Sequence, residues 1–185
     1  MLDEQQLADY IDGHFTSTLF RLEALDVYDV GSNGDDLARY LGGDPGPDMT
    51  RKGPWMDQIR DEVARGLHTY RVHVVRSPLT DYLRFEFEWG YTFNAAAGEH
   101  IRILDLTEYP GPPALLGEDF WLIGDDEAVQ MHYDPYGRFL GAEIAPAQAV
   151  PRYRAARDAA WEAAVPFDSY WAAHPQYWRD RHRAA

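Results

Sequence analysis

Apolar and polar positions along the chain change period several times, and each change marks an element. Near the N-terminus Asp3 and Gln6 have the spacing of a capping box, and Leu7, Tyr10, Ile11, His14 and Phe15 recur at helical spacing. A short strand or tight ordered segment is expected at Leu19–Leu25. A short helix follows Asn33-Gly34-Asp35, with Leu37, Tyr40 and Leu41 on one side and Gly42-Gly43 as its stop. Residues 42–53 read as a Gly- and Pro-rich mobile loop, with Pro54 at the first position of the next helix. On that helix Met56, Ile59 and Val63 share a face, and Gly66 ends it.

His68–Val75 alternates and is rich in β-branched residues, which predicts a strand. Two periods then compete. Leu79, Tyr82, Leu83 and Glu86 fit a helix, whereas Leu83 to Trp89 alternates as a strand would. Ser77-Pro78, the pattern of an N-cap followed by a first-turn proline, decides for helix. Further strands are expected at Ile101–Leu106, Phe120–Ile123, Ala128–Tyr133 and Arg138–Ile144. The last three are joined by turn sequences into an antiparallel meander. A helix over Ala147–Ala164 and an aromatic stretch through Trp178 complete the chain.

Together these elements predict one α+β domain over residues 1–185, with a helical, aromatic C-terminal segment at 147–185. Its sheet is mixed and mainly antiparallel, carries the C-terminal three-strand meander and is covered by helices. The unit from His68 to Leu106 has the form of a strand–helix–strand crossover. A chain of 185 residues, 45% hydrophobic, buries enough surface to need no covalent staple.

Composition then narrows the chemistry. With no cysteine there is no thiolate nucleophile, disulfide or thiolate metal site. The net charge of −14 opposes direct contact with nucleic acid or anionic membrane. The first residues lack the basic and apolar regions of a signal peptide, so the expected location is cytoplasmic. Lys52 is the only lysine, which leaves lysine chemistry a single candidate.

Ser17, Ser32, Ser77 and Ser169 are the only serines, and none sits in a nucleophile elbow. Gly42-Gly43-Asp44-Pro45-Gly46 carries an acid and follows a helix, the wrong setting for a phosphate cradle. The order of elements resembles the phospholipase D fold, but Lys52 has no histidine two places before it, so the paired H-x-K chemistry is absent. The histidines form no local metal motif. His73 and His132, both on expected strands, are the pair that folding could bring together. No cofactor and no metal are expected.

Aromatic and arginine side chains are enriched where proteins bind partners. Arg84, Glu86, Trp121, His132, Asp134 and Arg138 are therefore the candidate binding residues, and no catalytic residue is assigned.

Several sequence blocks carry a resemblance. They are Phe20 to Glu23, Ser77 to Glu86, Ala97 to Arg102, Asp119 to Leu122, Met131 to Asp134 and Gly137 to Ala142. In these blocks the chain resembles an uncharacterised actinobacterial domain-of-unknown-function family, often encoded beside helix-turn-helix regulators. The resemblance implies regulation. The expected function is a non-enzymatic binding or regulatory module, the protein partner of a DNA-binding transcription regulator. The alternative is a small-molecule receptor or enzyme with a cleft lined by Arg84, Glu86, Trp121, His132 and Asp134.

Overall fold

The computed structural model describes residues 1–29, 31 and 34–179. Ser32 and Asn33, named above, and residues 180–185 of the C-terminal segment lie outside the described residues. The fold is α+β, built on one mixed sheet of seven strands flanked by helices. The strands are β1 (Thr18–Glu23), β2 (His68–Val75), β3 (His100–Asp105), β4 (Phe120–Ile123), β5 (Glu127–Tyr133), β6 (Phe139–Ile144) and β7 (Val165–Pro166). Their spatial order is β6-β5-β4-β1-β2-β3-β7. β1, β2 and β3 run parallel, and every other neighbouring pair is antiparallel.

One face of this sheet is apolar. Phe20, Leu22, Tyr70, Val72, Leu104, Phe120, Leu122 and Ala128 pack there against a helix, α6 (Val150–Ala163). Ala156 and Ala160, both fully buried, let that helix lie close to the strands, while Val150 and Tyr153 pack from its first turn.

The opposite face is divided. At the meander end it is covered by α1 (Glu4–His14), which sets Leu7 against Leu19, Ile123, Val129 and Met131. The capping box at its start is formed, with Asp3 accepting from the Gln6 amide and Gln6 accepting from the Asp3 amide. At the other end the cover is an aromatic layer. It comes from a helical run of α4 (Asp81–Phe85), a π-helical turn (Glu86–Tyr91) and α5 (Thr92–Ala97), together with α7 (Phe167–Ala173). Between the two covers the middle of the face, over β1 and β2, is left open.

The competition of periods at Leu79–Trp89 resolves as helix, but the start differs from the expectation. Thr80 is the N-cap and accepts from the Leu83 amide, while Ser77 donates to Asp105 across 2.5 Å. The alternating pattern survives because this helical run is covered on two sides: Phe85 and Trp89 pack on Tyr40, Phe87 and Tyr91 on Phe167, and all four are buried.

A second difference concerns residues 42–53. A short helix, α2 (Asp36–Leu41), and a long one, α3 (Met49–Ala64), flank a connection of only seven residues. Asp48 caps α3 through the Thr50 amide, so the helix starts one and a half turns before Pro54 and contains the proline. Glu62 rather than Val63 turns inward on this helix.

Candidate functional site

Strand register determines which side chains meet on the open face. Arg21 on β1 is paired with Arg71 on β2 and with Trp121 on β4. One row along, Glu23 is paired with His73. Two arginines directly opposite on one face would repel each other without counter-ions. Three buried or nearly buried carboxylates supply them. Asp119 lies 3.1 Å from Arg21, Glu99 lies 2.6 Å from Arg71, and Glu23 bridges the pair at 2.9 Å from Arg71 and 3.9 Å from Arg21.

Hydroxyls and amides complete this network. Tyr28 donates to Asp119 across 2.7 Å, and Arg21 donates to the Tyr133 hydroxyl across 2.8 Å. Tyr91 donates to Glu23 across 2.7 Å, and its oxygen also lies 2.7 Å from His73 Nδ1. Nε2 of the fully buried His73 donates to the Leu25 carbonyl. Burial alone would raise the Glu23 carboxyl, but Arg71 and Arg21 outweigh it and hold the group at about 2. For Asp119 burial prevails over the pull of Arg21, and its pKa is raised.

This polar floor belongs to a cavity of about 700 Å³, within the usual size of a small-molecule site. One wall is α1 with Phe15. The other is formed by the first turns of α3, with Lys52 and Trp55, and by the π-helical turn with Glu86 and Tyr91. Lys52 donates to Asn94 across 2.7 Å, and Asn94 in turn donates to Glu99. The lysine pKa is lowered, chiefly by burial.

Glu86 differs from the other acids of the cavity. Its carboxyl makes no hydrogen bond and no ion pair within 4 Å among the described residues, and burial raises it to about 7. Its nearest surroundings explain the position. The carboxyl occupies the space a side chain at Gly90 would fill, where a Cβ would come within 2.5 Å of Oε1. The π-helical turn and the glycine together create that space, and such turns recur at functional sites.

Of the six residues singled out in the sequence, Glu86 and Trp121 line this cavity. The other four lie elsewhere. Arg84 donates to the Tyr177 carbonyl and fastens the C-terminal segment. His132 projects from the α6 face of β5, 3.5 Å from Glu143, and so does not meet His73, which lies on the cavity face of β2. Asp134 accepts from the Tyr136 and Arg138 amides in the β5–β6 turn, and Arg138 pairs with it at 3.3 Å.

The sequence reading missed Arg21, Glu23, Arg71, His73 and Tyr91. The available signal was charged residues alternating within strands, Arg21-Leu22-Glu23 and Arg71-Val72-His73, which is also the pattern of a solvent-facing sheet. No group of three or more histidine or acidic side chains fit to hold a metal occurs among the described residues. A smaller surface recess of about 310 Å³ lies near His100, Arg102 and Trp161. Its arginine is already engaged by the Trp161 carbonyl.

Fold and site together define an α+β domain with a charged, aromatic-walled cavity on one face of a mixed sheet. The chain belongs to the family described as a domain of unknown function (DUF6879), whose model matches residues 5–172. No match was found among curated proteins or among solved structures.

Proposed function

We propose that the protein is a non-enzymatic small-molecule-binding module whose ligand occupies the cavity over β1 and β2. The observation that carries this reading is the floor itself. Two arginines, three carboxylates, a histidine and three tyrosines meet on or against a sheet face where an apolar core would be more stable. A regulatory role, with ligand occupancy passed to a DNA-binding partner protein, is the use we assign to such a module. The acidic chain suits contact with a basic regulator rather than with nucleic acid.

The test is thermal denaturation of the full chain against a library of polar metabolites. At least one compound is expected to raise the melting temperature in a concentration-dependent way. The effect should be lost in Trp121→Ala, which opens the cavity wall. A library without a single stabilising compound would overturn the reading. Co-purification with a helix-turn-helix regulator tests the partner separately.

One observation favours a second reading. An unpartnered carboxyl near neutrality inside a cavity has the properties of a general acid or base. Turnover of a bound compound that disappears in Glu86→Gln, while binding persists, would make the protein an enzyme.

A further inference from the structure

The cavity has a polarity that points to a class of occupant. Carboxylates outnumber cationic groups among its lining side chains by seven to four. The cations are engaged: Arg21 by Asp119, Arg71 by Glu23 and Glu99, Arg51 by Asp35 and Asp36, and Lys52 by Asn94; the donors left without an acceptor, Arg21 Nε and Trp121 Nε1, are closed off from solvent. Glu86 alone among the inner acids has no protein donor. Glu86 is only part-buried and lines the cavity. An accessible acceptor without a donor, in a cavity rich in carboxylates, asks for a ligand that brings N–H groups and positive charge. Trp55, a part-exposed ring, lines the same cavity, and the Tyr91 ring beside Glu86 already carries the Arg71 guanidinium over it, an example of the cation contact such walls favour.

Resting on the reading of this cavity as a ligand site, we infer that its occupant is a small organic cation, an amine or amidine whose N–H groups bind Glu86. Four charged groups surround that carboxyl. Lys52 on α3 and Arg71 on β2 draw it towards ionisation, and Glu23 on β1 and Glu99 before β3 oppose this. Tyr91, in the π-helical turn, is held neutral by burial beside Glu23. The four charges oppose one another in pairs, so burial decides the titration. A cationic ligand that replaces lost solvation stabilises the ionised form. Binding therefore releases a proton, and affinity rises with pH as Glu86 ionises.

Three probes of one shape separate the possibilities: benzamidinium, benzamide and benzoate, titrated at millimolar concentration into the full chain. Binding is read from the indole N–H resonances, with that of Trp121 assigned by its loss in Trp121→Phe. Benzamidinium is expected to shift the Trp121 resonance saturably, with affinity rising from about pH 6 to about pH 8. In Glu86→Gln its affinity should fall about 10-fold or more, as for a hydrogen bond to a charged group, and the pH dependence should flatten. Benzamide, which needs no negative charge, should bind the variant as it binds the native protein, which reports on an intact cavity. Preference for benzoate, or benzamidinium binding unaffected by Glu86→Gln, would overturn the cationic ligand and leave the cavity as a binding site. If no probe perturbs Trp121, the cationic occupant fails. The library screen then decides by itself whether the cavity binds anything.

Discussion

At the scale of single residues, the two glutamates of the cavity respond to pH in opposite senses. Glu23 is held at about 2, below its ordinary 4.5, so its contribution to stability is present above pH 4.5 and is lost as pH falls towards 2. Glu86 is raised from 4.5 to about 7, so the folded state favours its neutral form. That advantage is complete below pH 4.5 and is lost as pH rises through 7. Glu86→Gln, which is neutral at every pH, should therefore stabilise the protein at pH 8 by about 1–3 kcal/mol and leave it nearly unchanged near pH 4.5. The gain stays below the full shift because part of the carboxyl faces the cavity. Denaturant melts at the two pH values check this. Asp119→Ala makes the contrasting case. It leaves Arg21, Tyr28 and the Ala24 amide without their shared acceptor, and should cost about 3–5 kcal/mol in the same measurement.

At the scale of elements, α3 shows a cost carried for position. Pro54 lies inside the helix, where it withholds a backbone donor from the Thr50 carbonyl. The turn before it carries Arg51 and Lys52 to the cavity. Pro54→Ala restores the missing hydrogen bond at an exposed position and should raise stability by about 1–3 kcal/mol, seen as a higher melting temperature. The sequence placed the proline at a helix start because first-turn proline is the common case. Asp48, the cap in fact used, stands beside Pro47 in a stretch that reads as loop. The π-helical turn was harder still to foresee. Its alternate aromatic residues bury on two sides of the helix, Phe85 and Trp89 against Tyr40 and Phe87 and Tyr91 against Phe167, so the segment carried a strand pattern and a helix pattern at once.

At the scale of the whole molecule, a net charge of −14 on 185 residues makes the folded state repel itself. Salt screens the surface repulsion more than it weakens the buried Arg21, Arg71 and Glu23 pairs. Raising sodium chloride from about 0.01 M to about 0.15 M should thus raise the melting temperature by a few degrees, as a thermal scan will show. The charge also excludes one use of the site. Two arginines in register on one face suggest a phosphate clamp when seen alone, but each is matched by carboxylates in a strongly acidic molecule.

Local sequence determined much of the fold. Caps at Asp3, the apolar alternation of His68–Val75 and the turns at Gly124 and Gly137 act within a few residues, so they are legible from one end of the chain to the other. Composition removed thiol chemistry, because no arrangement of the chain supplies a sulfur nucleophile it does not contain. The site was decided by tertiary structure alone. Arg21, Arg71 and Asp119 are separated by 50 and 98 residues along the chain, counted from Arg21, and only the pairing of β1 with β2 on one side and β4 on the other brings them into one network. Packing of the π-helical turn over that network gives Glu86 its significance. In sequence it is one acid among thirty-one acidic residues, and in the fold it is the one inner carboxyl that the protein leaves unpartnered among the described residues. Burial and pairing are properties of the packed sheet face, and neither exists in the chain before that face is assembled.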